Sequence, residues 1–314
     1  MTKILKFSDC VKVDLFSAQV IEKIEECFID YAKKNCNLES KIVLRKDGAS
    51  FYTTMPAIYK DVMSVKSIQR DDVQGQPSIR GMLILNDKNS GELLSLMDST
   101  YLTAVRTGLT AYISLKNTTD IVNTTKTVSV IGIGNAMVSF LKTLNNFKNE
   151  HQIRKIYVID YKDHLNRVVS ILDDDFEVEK ITENNDLMNA DIIVSAITSA
   201  NGSIVTKFDE NWKGKTIIPI HVRGWEHFDK EVDIITTDFY EQTKNWIRPD
   251  ALELGDIILN NEFVKKRDSD VNVMSYNYGG ALIDLVIADY IYKEAIKLGL
   301  GMDLDIWDMN SKYF

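Results

Sequence analysis

The spacing of apolar residues changes along this chain, and each change predicts a different kind of element. Over residues 17–31, Val20, Ile21, Ile24, Cys27, Phe28 and Tyr31 recur at helical spacing, which predicts an early amphipathic helix committed to packing. Over residues 41–85 the pattern becomes short runs rich in Ile, Val, Tyr and Thr, at 42–44, 51–54, 63–68 and 81–85. Breaks at Asp47-Gly48 and Asn86-Asp87 read as turns, and residues 92–97 add another run, so an antiparallel sheet is expected. Residues 98–117 return to helical spacing, with Asp98 or Ser99 as N-cap and Leu102, Val105, Leu109, Tyr112 and Ile113 mainly on one face. Thr103, Arg106, Thr107 and Thr110 fall on another face. Such a stripe serves either as a solvated face or as an anion grip; threonine is a poor surface helix former, and an arginine among hydroxyls suits an anion.

The most informative stretch follows, at residues 126–160. Val128, Val130, Ile131 and Ile133 form a buried strand, Gly132 and Gly134 sit at its turn, and Asn135 and Ala136 open a helix carrying Phe140, Leu141, Leu144 and Phe147. A second strand at 156–159 ends in Asp160, followed by Tyr161. Glycines at such a turn let the backbone approach a pyrophosphate, the first N–H groups of the helix point at that anion, and an acid closing the second strand accepts ribose hydroxyls. Met137 occupies the third position of the glycine pattern, where a small residue is usual, and Ala136 beside it can stand in. An ordinary α/β unit with a glycine turn is the competing reading. Asp160 with no basic residue at Tyr161 favours NAD over NADP, a preference tempered by Lys162. Further strands are expected at 176–181, 191–196, 216–221 and 232–238, with a helix around Leu165, Val168, Val169 and Leu172. Alternating strands and helices predict a doubly wound, Rossmann-like sheet with its ligand beyond the carboxyl ends, at the Gly132 turn, Asp160, Ser195 with Ala196, and residues 221–225. Residues 265–270 read as a solvated loop, and Gly279-Gly280 precede a long apolar helix whose first turn carries Asp284, an acid suited to the helix dipole.

Composition narrows the partners. A chain of 314 residues suits two domains, and a formal charge of -9 argues against nucleic acid or an anionic membrane surface as partner. Cys10, Cys27 and Cys36 form no C-x-x-C pair, so neither a disulfide framework nor a zinc site is indicated. No run approaches a membrane span, and the expected setting is cytoplasmic, with a small molecule as partner and no metal.

Met55-Pro-Ala57 with Lys66, residues 81–86, Leu102-Thr-Ala-Val-Arg-Thr107, the Gly132/Gly134 turn, Glu253-Leu-Gly-Asp256 and Gly280-Ala-Leu-Ile-Asp284 together resemble, in order, segments of the ornithine cyclodeaminase and mu-crystallin family. The resemblance extends from about Arg45 to Gly301. It implies an α-amino or α-imino acid whose α-carbon exchanges hydride with NAD, a homodimer paired through its antiparallel sheet, and a nucleotide domain at 118–270 inserted in an α+β substrate and dimerisation domain at 1–117 and 271–314. By the same resemblance Arg106 and Arg45 bind the substrate carboxylate, Lys66 stands beside the reacting Cα–N bond, and Thr107 helps hold cofactor phosphate. A guanidinium forks onto a carboxylate, and a lysine crowded by other cations can lose a proton near neutral pH.

The chain departs from the family after the strand at 216–221. Family cyclodeaminases carry Gly-Ala-Asp there, the aspartate serving the ring-closing amine, whereas this chain reads His221-Val-Arg-Gly-Trp-Glu-His-Phe-Asp229. His221, Arg223 and Trp225 are therefore expected to shape a different pocket, with His221 as a candidate proton carrier. Glu226 and Asp229 are the acids able to replace the missing one. Three functions stand open at this point: an NAD-dependent amino-acid dehydrogenase or imine reductase, an ornithine cyclodeaminase, and a noncatalytic ligand-binding protein.

Overall fold

The structure is a computed structural model and describes residues 1–46, 50–71, 78–197, 200, 202–206, 209, 212–220 and 224–306. In chain order, strand β1 (Thr2–Leu5) is followed by helices α1 (Phe7–Cys10) and α2 (Ala18–Ala32), then β2 (Asn37–Leu38), β3 (Ile42–Arg45), β4 (Phe51–Tyr59), β5 (Val62–Arg70), β6 (Ile79–Asp87) and β7 (Leu93–Asp98). Helix α3 (Thr100–Thr118) leads into β8 (Lys126–Ile131), α4 (Asn135–Asn146), β9 (Ile153–Ile159), α5 (His164–Val169), β10 (Glu177–Ile181), β11 (Ile192–Ser195), β12 (Thr216–Pro219) and β13 (Ile234–Thr237). The chain continues through α6 (Tyr240–Thr243), β14 (Leu252–Glu253), α7 (Leu254–Asn260), α8 (Phe263–Lys266), β15 (Val273–Tyr276), α9 (Ala281–Lys297) and β16 (Met302–Leu304). Among the described residues, no helix is long and apolar enough to cross a membrane.

These elements form two compact units. One comprises Met1–Leu15, Lys34–Thr103 and the described chain from Gly280; the other comprises Phe16–Lys33 and Ala104–Gly279. In the first unit the strand order is β16-β1-β7-β6-β5-β4-β2, with β3 pairing to β4, and β3 through β7 are antiparallel neighbours as the alternating runs predict. Side chains alternate strictly between its faces. Thr53, Met55, Ala57 and Tyr59 of β4, Ser64, Lys66 and Ile68 of β5, and Leu83 and Leu85 of β6 are buried, and α9 packs against these three strands. Tyr52, Ile58, Val65, Met82 and Ile84 point the other way and are exposed. The sequence reading missed β1 and β16, because runs of four and three residues carry too little periodicity; they exist through pairing, β1 parallel to β7 and β16 antiparallel to β1.

In the second unit every strand pair is parallel, in the order β10-β9-β8-β11-β12-β15-β13-β14. The chain builds outward from β8 to β10, then returns to lay β11 on the other side of β8. That reversal creates a switch point between the ends of β8 and β11, where open α/β sheets bind their ligands. β15 was not expected, since the sequence reading assigned no element to residues 273–276. Its four residues are all buried, and a strand covered on both faces shows no alternation. The loop read as solvated at 265–270 is also different. Arg267 is half-buried and donates to the carbonyls of Thr118, Gly214, Lys215 and Val271 and to the Thr216 hydroxyl, and burial pushes its pKa down to about 10. It clamps the base of the sheet.

Candidate active site

The switch point is built from the glycine turn. Gly132 has φ +81°, and a Cβ there would lie 2.8 Å from the backbone of both Ala196 and Ile197, so this position excludes any side chain on conformation and on space. Ala196 N–H donates to the Ile131 carbonyl at 2.9 Å, locking the ends of β8 and β11 together. Gly134 differs: its φ is -82° and no atom lies within 4 Å of the place a Cβ would take. The protein itself does not need glycine there, so the bare backbone leaves room in front of α4. Gly134 and Asn135 are exposed, and the first N–H groups of this twelve-residue helix have no intrahelical acceptor. Ser195, at the end of β11, carries a buried hydroxyl without a partner among the described residues. A dinucleotide pyrophosphate fits this combination of open backbone, free helix donors and an unsatisfied hydroxyl.

Around the turn, Asp160 accepts from Leu165 N–H at 3.2 Å and meets Lys180 Nζ at 3.1 Å, and that lysine, followed by the amide, holds its carboxyl below the usual range. A carboxylate has further lone pairs for ribose hydroxyls. Tyr161 is exposed, with its ring edge-on to His164. Arg167, which the sequence did not suggest, donates to the Ile133 carbonyl at 2.7 Å and ties α5 to the turn. Met137 is fully buried, and the close approach expected at its position occurs elsewhere: a Cβ on Gly108 of α3 would lie 2.6 Å from Ser139 Cβ and 2.7 Å from the Ala136 carbonyl oxygen. Helices α3 and α4 therefore touch backbone to backbone.

That contact fixes the polar stripe of α3. Thr103, Arg106, Thr107 and Thr110 are all buried, so the stripe is not a solvated face. Thr103 and Thr110 satisfy their hydroxyls on the carbonyls four residues back, at Ser99 and Arg106. Arg106 lies against Gly279: a Cβ there would fall 2.6 Å from the guanidinium carbon, and Gly279 has φ +83°. The Gly279 N–H donates to Oδ2 of Asp238, and Asp238 Oδ1 accepts from Phe239 N–H at 2.9 Å. Asp238 is fully buried; burial pushes its pKa up, while these amides and the Arg106 charge pull the other way. The sequence reading passed over Asp238, although it ends β13 as Asp160 ends β9.

In the first unit, Lys66 sits in a row of buried residues formed by Met55, Lys66, Leu83 and Met97 on β4 to β7. Its ammonium lies 2.6 Å from Asp284 Oδ2, on the first turn of α9, and 3.2 Å from the Thr103 hydroxyl. The expected neighbours were cations; the neighbour this contact brings is a carboxylate. Asp284, read as a dipole acid, is the counter-ion of that lysine. Arg45 pairs with Phe51 and Lys66 with Met55, so both face the same side of the sheet, about 13 Å apart along the strands at 3.3 Å per residue. Arg45 is exposed at that end.

His221 and Arg223 lie outside the described residues. Trp225, expected to line a pocket, is instead a core anchor with 0% exposure, packed in one cluster with Ile131, Phe228, Val232 and Tyr276. Asp229 accepts a hydrogen bond from the Tyr276 hydroxyl, and Glu226 accepts from the Gly224 N–H at 2.7 Å. Of the two acids offered as replacements for the cyclising aspartate, Asp229 is thus tied to β15 and Glu226 to its own loop.

An all-parallel doubly wound sheet with an open glycine turn at its switch point defines a Rossmann-like dinucleotide fold. The chain belongs to the ornithine cyclodeaminase/mu-crystallin family, whose sequence model matches residues 1–297. It is 28% identical over 240 residues to the nodulation efficiency protein NfeD of Rhizobium meliloti, covering 72% of this chain and 73% of that protein. The Δ1-pyrroline-2-carboxylate reductase of Thermococcus litoralis, solved with NADH and L-proline, superimposes with a TM-score of 0.82 at 20% identity, over 96% of this chain and all of that one. An archaeal alanine dehydrogenase dimer with bound NAD gives 0.83 at 20% identity, covering 98% of this chain and 99% of that one.

Proposed function

We propose that this protein is an NAD(H)-dependent oxidoreductase that transfers hydride between nicotinamide and the α-carbon of an amino or imino acid. The observation that carries the reading is the buried guanidinium of Arg106, two residues from the Gly108 contact that seats α3 on α4, the helix opening at the dinucleotide turn. A carboxylate-reading group is thereby held to the element that receives the cofactor. NAD(H), when bound at Gly132, Gly134, Asn135, Ala136, Ser195 and Ala196 with its ribose on Asp160, supplies or accepts the hydride. Arg106 forks onto the substrate carboxylate, with Arg45 as a second cation for it. Lys66, paired with Asp284 and donating to Thr103, holds the proton at the substrate nitrogen, so that an imine is drawn toward reduction. Thr107 supports the cofactor phosphates, and His221, outside the described residues, is kept as a candidate proton carrier.

The solved relatives that reduce or oxidise small amino and imino acids favour Δ1-pyrroline-2-carboxylate and pyruvate with ammonia as first substrates. With either and NADH, we expect stoichiometric loss of NADH absorbance and the matching amino acid by mass. Formation of proline and ammonia from ornithine with no net change in NADH would establish the cyclodeaminase instead, and the commitments of Glu226 and Asp229 weigh against it. Tight NADH binding with no turnover of any of these would leave a binding protein.

The exposed apolar face of Tyr52, Ile58, Val65, Met82 and Ile84 supports a homodimer paired through this sheet, since a monomer would leave that patch in water. Light scattering on the purified protein should give twice the chain mass, and a monomer mass at micromolar concentration would rule the pairing out. A cytoplasmic setting accords with a reaction that draws on the cell's nicotinamide pool.

A further inference from the structure

An acid at the end of the second strand of a dinucleotide fold selects NAD(H) because its unbalanced charge repels a 2′-phosphate. The charge of Asp160 is balanced. Its Oδ2 lies 3.1 Å from the ammonium of Lys180, on the neighbouring strand β10, while Oδ1 accepts the Leu165 N–H at 3.2 Å. Between residues 160 and 167 two carboxylates, Asp160 and Asp163, meet two permanent cations, Lys162 and Arg167, and Lys180 adds a third. This corner is therefore net positive on a chain whose formal charge is -9.

Strand order sets cations on both sides of Asp160. β9, which ends at this acid, lies between β8 and β10. Lys180 comes from the β10 side, and Arg167 reaches the β8 side, where it holds the Ile133 carbonyl at 2.7 Å. The Lys162 ammonium stands 4.9 Å from the centre of the Tyr161 ring. From this arrangement we propose that the site also takes the 2′-phosphorylated dinucleotide, NADPH, and that Lys180 is the residue that decides it. The proposal rests on the reading of the Gly132/Gly134 turn as a dinucleotide seat.

An ammonium carries three donors, and Lys180, with half of its side chain exposed, has no partner other than Asp160 among the described residues. A phosphate on the ribose 2′-oxygen meets the remaining donors, and the same ammonium screens it from the Asp160 carboxylate. NADH needs no such contact, because its ribose hydroxyls use the lone pairs of Asp160 that Leu165 and Lys180 leave over. Lys180 therefore matters to one cofactor far more than to the other. An ion pair this exposed contributes little to stability, so its removal leaves the fold in place.

Fluorescence titrations of the purified full chain with NADH and with NADPH measure both affinities without turnover. Wild type should bind NADPH within about tenfold of NADH, and Lys180→Met should weaken NADPH about tenfold or more while NADH stays within about threefold. Lys180→Gln keeps a polar side chain without the charge and should shift the ratio in the same direction, which covers a Met variant that proves insoluble. A wild-type preference for NADH beyond that limit, or Lys180 variants in which the two affinities keep their wild-type ratio or fall together, overturns the proposal and leaves the dinucleotide seat standing. If NADH itself does not bind, the reading of the seat fails and this proposal with it.

Discussion

The double variant K66M/D284L should fold at least as stably as the wild type and yet turn over imino acid about 10²- to 10⁴-fold more slowly, the usual contribution of a positioned proton donor. Both partners of this ion pair are buried to within 1% and sit 2.6 Å apart in the first unit, so each gave up its hydration to be there. Their mutual attraction recovers that loss only in part, and well-packed apolar replacements of such pairs are commonly neutral or stabilising by about 1–4 kcal/mol. K66M alone is a different experiment. It takes the ammonium away from a buried carboxylate, and should cost about 3–5 kcal/mol in urea denaturation. A double variant that lost stability as heavily as K66M would mean that the pair is a structural anchor; one that kept full turnover would remove Lys66 from the chemistry.

The two glycines of the dinucleotide turn should separate folding from binding. Gly134→Ala faces empty space at an unstrained φ, so only the weaker N-cap is felt and the loss of stability should stay below about 1 kcal/mol. NADH affinity should nevertheless fall about tenfold or more, a change of about 1.4 kcal/mol in binding, because the methyl group enters the space through which a pyrophosphate approaches α4. Gly132→Ala must absorb a left-handed backbone and an overlap with the backbone of Ala196 and Ile197, which should cost about 2–4 kcal/mol of stability before any ligand is added. Thermal melts and NADH fluorescence titrations distinguish the two. Equal destabilisation by both variants, or undiminished NADH affinity in G134A, would contradict a nucleotide seat at this turn.

Much of this arrangement was legible in the sequence, for reasons that particular residues make clear. The short β-branched run ending in Gly132 and Gly134, the acid at Asp160 and the helical spacing from Leu102 to Ile113 are local signals, each set by a few neighbouring residues. The antiparallel strands of the first unit could be read because one of their faces is buried and the other is not, so burial alternates in β4 to β6. β15 escaped notice because it is buried on both faces, and β1 and β16 because they are short. Trp225 misled the reading: a large aromatic in a loop signals a pocket or a core equally well, and here it is core.

The sequence by itself determined the doubly wound sheet, the glycine turn at its carboxyl edge, and Arg106 and Lys66 as the cations of interest. Only the tertiary structure decided their environments: Asp284 beside Lys66, Asp238 and Gly279 about Arg106, Lys180 on Asp160, and the carbonyls around Arg267. Apolar periodicity reflects the geometry of one helix or strand and is written within a few residues. The partner of a buried charge comes from another part of the chain, brought in by the packing of whole elements, and no pattern near either residue records it.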